Sequence, residues 1–271
     1  MDVGDGYQLW VETPGDPSAP PLLLVMGANA SGLEWPDALV DRLAEHHRVV
    51  RYDHRDTGRS THAFDERPYA LRDLARDLLA VLDALGVDRA HAVGMSLGGT
   101  LLQVQLVDHP ERFLSATILG TPALDDHEAP GPLPELLEVW AEMGRDRPPA
   151  EEHEWQLRHA RLLHGPDLPF DAAEHEERER RIAEHRGTPS AATAHARADQ
   201  RGLERDTSAI VVPVLVVDAL ADPVAPPPTA ERLASRVPLA RRVVVPGMGH
   251  ALPAAVVGPL AAAVLEHTAR Y

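Results

Sequence analysis

The sequence predicts an α/β protein: a mostly parallel sheet with helices on both faces, interrupted once by a helical insertion. Three observations predict it. Short apolar, β-branched runs alternate with amphipathic helical stretches from residue 22 to residue 120, the pattern of a parallel sheet covered on both faces. The alternation stops over residues 121–206, where prolines cluster ("EAPGPLPE", "RDRPPAEEHE") and charged helical segments such as "DAAEHEERERRIAEHRG" dominate. It resumes from 207 to 271. Residues 1–120 and 207–271 are therefore expected to form two parts of one core, with 121–206 as a helical cap between them.

Each element has a local reason. "YQLWVET" alternates like a strand and ends at the turn signal "PGDPSAPP"; "LLLVMG" is a buried run stopped by glycine. "WPDALVDRLAEHH" has helical spacing with proline near its start, and "RVVRYDH" is a β-branched run entering the glycine loop "RDTGRS". "LRDLARDLLAVLDALG" places leucines at helical intervals and closes on Gly86. "RAHAVGMS" is a strand, "LGGTLLQVQLVDHP" a helix ended by Pro110, and "FLSATILG" another strand. After the interruption, "AIVVPVLVVDALAD" and "RRVVVPG" read as strands, with "PTAERLASRV" and "GPLAAAVLEHTARY" as helices.

Composition removes several function classes. The chain of 271 residues has a formal net charge of −16 and no basic block, which argues against nucleic acid or an anionic membrane surface as a partner. It has no cysteine, so thiol nucleophiles, disulfides and thiolate metal sites are excluded. All 26 basic residues are arginine, which removes Schiff-base lysines and the P-loop lysine. No apolar run approaches the ~20 residues of a membrane span, and the N-terminus lacks the charge and apolar regions of a signal peptide. A cytoplasmic location is the default expectation. No dinucleotide fingerprint or zinc-binding helix motif occurs, and no cofactor or metal is expected.

The chemistry-bearing stretch is "HAVGMSLGGT". Gly94-Met95-Ser96-Leu97-Gly98 sits between a strand and a helix, where a G-x-S-x-G turn holds a serine hydroxyl out at the carboxyl edge of a sheet. A hydroxyl needs a base, and the loop after the last strand, "VVVPGMGHALP", supplies His250. The base needs a carboxylate. After "PVLVV" come Asp218, still on the strand, and Asp222, on the loop beyond it. Asp222 is the better placed; Asp125 and Asp126, after the earlier strand, are rivals. An acyl-transfer intermediate also needs two backbone donors, for which Leu97, following the serine, and Ala28, in "MGANASG" after the "LLLV" strand, have the right positions. Of the 15 histidines, His153, His159, His175 and His185 lie in polar helical tracts and are expected to be solvated.

With these residues placed, the chain resembles the α/β-hydrolase superfamily, and within it the aclacinomycin methylesterase type of actinomycete esterase. The resemblance rests on "LLLVMGANASGLEWPD", "VVRYDHRDTGRST", "VGMSLGGT", "DPVAP", "VPGMGHALP" and, in the expected cap, "LLHGPDLPFDAAE". It implies an α/β-hydrolase fold, a triad at Ser96, Asp222 and His250, oxyanion donors at Ala28 and Leu97, and hydrolysis of a methyl ester on a polyketide-like small molecule. The chain departs from that type by being shorter around "TPALDDHEAPGPLPELLEVWAEMG" and by having only 4% aromatic residues. Candidate pocket residues are Asn29, Met95, Trp140, Met143, Trp155 and Leu163. Lactonase, thioesterase and carbon-carbon bond hydrolase chemistry can run on the same triad, and a ligand-binding protein on the same fold is the non-enzymatic alternative.

Overall fold

Every second residue of the central strands faces the same layer of helices. The computed structural model describes residues 1–186 and 193–271. Its sheet comprises β1 (Val11–Glu12), β2 (Pro21–Val25), β3 (Arg48–Tyr52), β4 (Ala90–Met95), β5 (Phe113–Leu119), β6 (Val214–Asp218) and β7 (Ala240–Val244), in the order β1-β3-β2-β4-β5-β6-β7. All neighbours are parallel except β1 and β3. The helices are α1 (Asp37–Ala44), α2 (Leu71–Ala84), α3 (Leu97–Asp108), α4 (Pro134–Trp140), α5 (Pro149–His164), α6 (Ala172–Arg186), α7 (Ala194–Arg197), α8 (Thr229–Arg236) and α9 (Ala254–Thr268).

Leu23, Val25, Ala92, Ile118 and Val216 pack with α2, α3 and α8 on one face. Leu22, Leu24, Val93, Leu119 and Val217 pack with α1 and α9 on the other. The period of two along each strand thus feeds two apolar layers, as a doubly covered parallel sheet requires. Helix α2 buries Leu71, Leu74, Ala75, Leu78, Val81 and Leu82, an apolar stripe at helical spacing, together with Asp77, which is paired with Arg55 at 2.7 Å.

Two expected elements differ. "YQLWVET" forms a ladder only at Val11–Glu12, because its earlier residues bond to the loop after β3: Gln8 exchanges bonds with Thr61, and the Trp10 amide donates to Ser60 Oγ at 2.9 Å. The last helix begins at Ala254, ahead of the Gly258-Pro259 pair that reads as its start. Val256, Val257 and Leu260 draw that first turn into the core, and Pro259 sits inside the helix at the cost of one backbone bond. The helical reading of 171–187 extends one residue, Gly187, outside the described residues.

Between β5 and β6 the described residues contribute α4 to α7 and no strand. After β2 the chain turns to β3 on one side, and after β4 to β5 on the other. The crevice at the carboxyl ends of β2 and β4 is therefore the switch point at which ligands bind in open α/β sheets.

Candidate active site

Ser96 is the one residue between β4 and α3. Its φ of 54° and ψ of −124° lie where a non-glycine residue is strained, a conformation that persists only when the surroundings impose it. Those surroundings are backbone: the Ser96 amide donates to the Leu119 carbonyl at 2.9 Å, and its carbonyl accepts from the Thr100 amide at 3.1 Å. Strand and helix meet so closely that a Cβ on Gly98 would lie 2.1 Å from the Val25 carbonyl oxygen, and one on Gly94 2.6 Å from that of Gly98. Both elbow glycines are steric requirements. Ser96 and Leu97 are half-buried, whereas Gly94, Met95, Gly98 and Gly99 around them are buried.

His250, on the loop after β7, hydrogen-bonds through Nδ1 to Asp222 Oδ2 at 2.8 Å. Asp222 lies beyond the end of β6, and its Oδ1 accepts from the amides of Val224 (2.7 Å) and Ala225 (3.0 Å). Burial is the largest influence on this carboxyl and would raise its pKa; the His250 charge, the bond to His250 and the two amides outweigh it and hold the pKa below the usual value. Gly120, at φ +64°, brings this pair to the serine: it follows Leu119, the partner of the Ser96 amide, and a Cβ on it would lie 2.9 Å from His250 Cε1. Among the described residues the Ser96 hydroxyl has no hydrogen-bond partner; such contacts tighten when substrate is bound.

The other carboxylates are engaged elsewhere. Asp218 pairs with Arg242 at 2.5 Å, Asp126 with Arg232 at 2.5 Å, and Asp125 accepts from the Thr207 hydroxyl at 2.6 Å.

The loop after β2 faces the serine: a Cβ on Gly27 would lie 3.2 Å from Ser96 Cβ. Ala28 is exposed, and among the described residues neither its amide nor that of Leu97 has an acceptor. Two unspent N–H groups thus lie in the chain next to the serine and on the loop that faces it.

The candidate pocket residues divide. Met95 is buried in the apolar layer under α1 and α9. The Trp140 indole donates to His159 Nε2 at 3.0 Å, the Trp155 indole donates to the Val139 carbonyl at 3.2 Å, and Trp155 stacks on His159 at 5.5 Å. These groups tie α4 to α5. Met143 is half-buried in the turn that follows α4. Leu163 acts through its backbone: its carbonyl accepts from the amides of His250 (2.7 Å) and Ala251 (3.0 Å), docking the end of α5 on the histidine loop.

Three expectations about histidines are corrected. His175 is half-buried against Phe170, and burial lowers its pKa. His185 is buried, with Nε2 bonded at 2.7 Å to Asp53, because the polar end of α6 packs onto the loop after β3. His159 is half-buried, and burial together with the nearby His175 and His250 pushes its pKa down to about 4. His195, which nothing in its polar tract distinguishes, is bonded to Asn29 beside Ala28: its Nδ1 accepts from the Asn29 amide at 2.8 Å. Among the described residues no group of three or more histidines, aspartates or glutamates could hold a metal ion, and no helix is long and apolar enough to cross a membrane.

Comparison with known proteins follows the same outline. A family model described as the alpha/beta hydrolase fold matches residues 20–253. Rhodomycin D methylesterase of Streptomyces peucetius is 44% identical over 292 aligned positions, covering 99% of this chain and 97% of that protein. The enzyme of the same name from Streptomyces sp. strain C5 is 44% identical over 289 positions, with the same coverage. Among solved structures, a hydrolase from Pseudomonas aeruginosa PA01 superposes with a TM-score of 0.75 at 28% identity, covering 98% of this chain and 96% of that one.

Proposed function

We propose, from the premise that this chain belongs to the alpha/beta hydrolase fold family, that Ser96, His250 and Asp222 are its catalytic triad and that its substrate is a methyl ester on a polycyclic, polyketide-derived small molecule. The chain is a serine carboxylic ester hydrolase. The observation that carries the triad is the 2.8 Å bond between His250 and Asp222, set beside a serine held at φ 54°. The substrate rests on the full-length similarity to two rhodomycin D methylesterases.

Ser96 Oγ attacks the ester carbonyl while His250 Nε2 takes its proton. Asp222 fixes the tautomer by accepting from Nδ1 and stabilises the imidazolium that forms. The amides of Ala28 and Leu97 receive the oxyanion. The tetrahedral intermediate expels methanol, which takes the proton from His250; water, deprotonated by the same histidine, then releases the acyl group as a carboxylic acid. Residues 121–206 act as the cap over this site, with 1–120 and 207–271 as the two parts of the core. Asn29, Met143, Trp140 and Leu163 are the pocket candidates on that side, the Trp155 ring being taken up by His159 and by the Arg147 guanidinium 4.9 Å from its centroid.

A panel of methyl esters, lactones and aryl acyl esters, read as kcat/KM on pure protein, tests the reading. Methyl esters of polycyclic acids should lead. A preference for lactones would overturn the substrate. Ser96→Ala should lose about 10⁴-fold or more in kcat, since triad members act as a unit; unchanged turnover would overturn the triad.

A further inference from the structure

We infer that His195 is a positioning residue of the oxyanion site, holding the loop that carries the Ala28 amide by a three-bond clamp from outside the sheet. The inference rests on the proposed role of Ala28. Its ground is a set of contacts between residues 166 positions apart in sequence. The Asn29 amide donates to His195 Nδ1 at 2.8 Å, and the His195 amide donates back to Asn29 Oδ1 at 3.1 Å. His195 Nε2–H donates to the Arg55 carbonyl at 2.9 Å.

The partners fix the tautomer. A backbone N–H can only donate and a carbonyl can only accept, so Nδ1 is bare and Nε2 carries the hydrogen. The ring must therefore be neutral. Burial favours this by lowering its pKa, against the opposing influence of the Arg55 carbonyl and Asp56, and His195 is only 2% exposed.

The clamp acts where the loop is least free to hold itself. Asn29 has φ 56°, a left-handed conformation that costs a non-glycine residue free energy. The reciprocal bonds to His195 offset that cost and fix the peptide plane immediately after Ala28. On the other side, His54 Nε2–H donates to the Met26 carbonyl at 3.0 Å. The two imidazoles stand edge to face at 5.7 Å. Between these anchors lie Gly27, against Ser96, and the unspent amide of Ala28. An oxyanion donor accelerates only if it is already aimed when charge develops, so anchoring on both sides is preorganisation in the useful place.

Substitution at 195 separates the two ring nitrogens. His195→Asn keeps an acceptor near the Nδ1 position, whereas His195→Gln keeps a donor near Nε2 and loses the acceptor. With active sites counted by a fluorophosphonate probe, His195→Gln should lower kcat about tenfold to a hundredfold with KM within about twofold, and His195→Asn should stay within about threefold of the parent. Affinity for an aryl trifluoromethyl ketone, whose adduct with Ser96 presents an oxyanion, should fall in step with kcat. Asn29→Gly tolerates the left-handed φ but loses the acceptor for the His195 amide. It should show a smaller loss, and combined with His195→Gln it should add little, because both break one unit. Equal kcat in His195→Gln and His195→Asn, or ketone affinity that does not follow kcat, overturns the inference. The underlying reading fails separately: it falls if Ser96→Ala hydrolyses ester as fast as the parent.

Discussion

Strand β6 buries all five of its residues, whereas α5, with sixteen residues, buries only His164, and α6, with fifteen, only His185. The sheet is held by apolar area removed from water on both faces. Helices α5 and α6, which bury no apolar residue of their own, are held to the core by polar groups: His185 on Asp53, Arg181 on Asp37 at 2.6 Å, Glu174 on the Ala254 amide at 2.9 Å, and the Leu163 carbonyl under His250. Such bonds net only about 0.5 to 1.5 kcal/mol each, because the same groups bond well to water when released. The sheet therefore fixes atoms while α5 and α6 can exchange their contacts for solvent, the arrangement the proposed cap over a rigid site calls for.

Asp222→Asn probes the rigid side most severely. The amide keeps an oxygen for Val224 and Ala225 but turns a donor toward His250, forcing the wrong tautomer, so kcat should drop about 10⁴-fold in a stably folded protein. A loss below tenfold would mean that His250 is oriented from the helical side. The same pair gives a signed pH dependence. Because the Asp222 pKa is depressed in the folded state, its stabilisation is present above the unfolded value of about 4 and is lost as pH falls through the folded value. The stability difference between parent and Asp222→Asn should therefore hold steady above about pH 5 and shrink below it in urea titrations.

Core truncation comes next. Leu78 is fully buried under the sheet, and Leu78→Ala should cost about 2 to 5 kcal/mol by chemical denaturation. Leu137 on α4 is 49% exposed, and Leu137→Ala should change stability by about 0.5 kcal/mol or less. Similar costs at the two sites would erase the contrast. Among buried side chains the smallest global effect belongs to His185→Ala. It leaves Asp53 its bonds from the Ser31 hydroxyl and the Gly32 and Arg59 amides, so it should cost about 1 kcal/mol. Its signature is local: faster amide exchange across α6 with the β2, β4 and β5 amides unchanged. Uniform acceleration would show that the helices and the sheet unfold as one unit.

The same contrast explains what could be read in advance. The path from β4 through Ser96 into α3 is legible because alternation, small residues and helical spacing all bear on one short stretch. Asp222 and His250 were legible by position, since periodicity marks where β6 and β7 end and the residues just beyond those ends face the crevice. Polar docking leaves no such mark: His153 at the surface and His185 against Asp53 sit in similar Glu- and Arg-rich surroundings. His195 was invisible for the same reason, its partner Asn29 being set by tertiary folding rather than by spacing. The early start of α9 and the brevity of β1 leave no local mark, because burial and side-chain bonds override the signals at Gly258-Pro259 and at Tyr7–Trp10.

The carbonyl of Leu163 bears on how such enzymes can be recombined. It accepts from two consecutive amides of the loop that carries His250, so the helices between β5 and β6 are not a detachable module. Excising them, or exchanging them for those of a relative to alter specificity, withdraws an acceptor from the loop that carries the proposed base. A chimera would keep a serviceable His250 only if its grafted segment returned a backbone oxygen to that point, whatever pocket the rest of the graft provides.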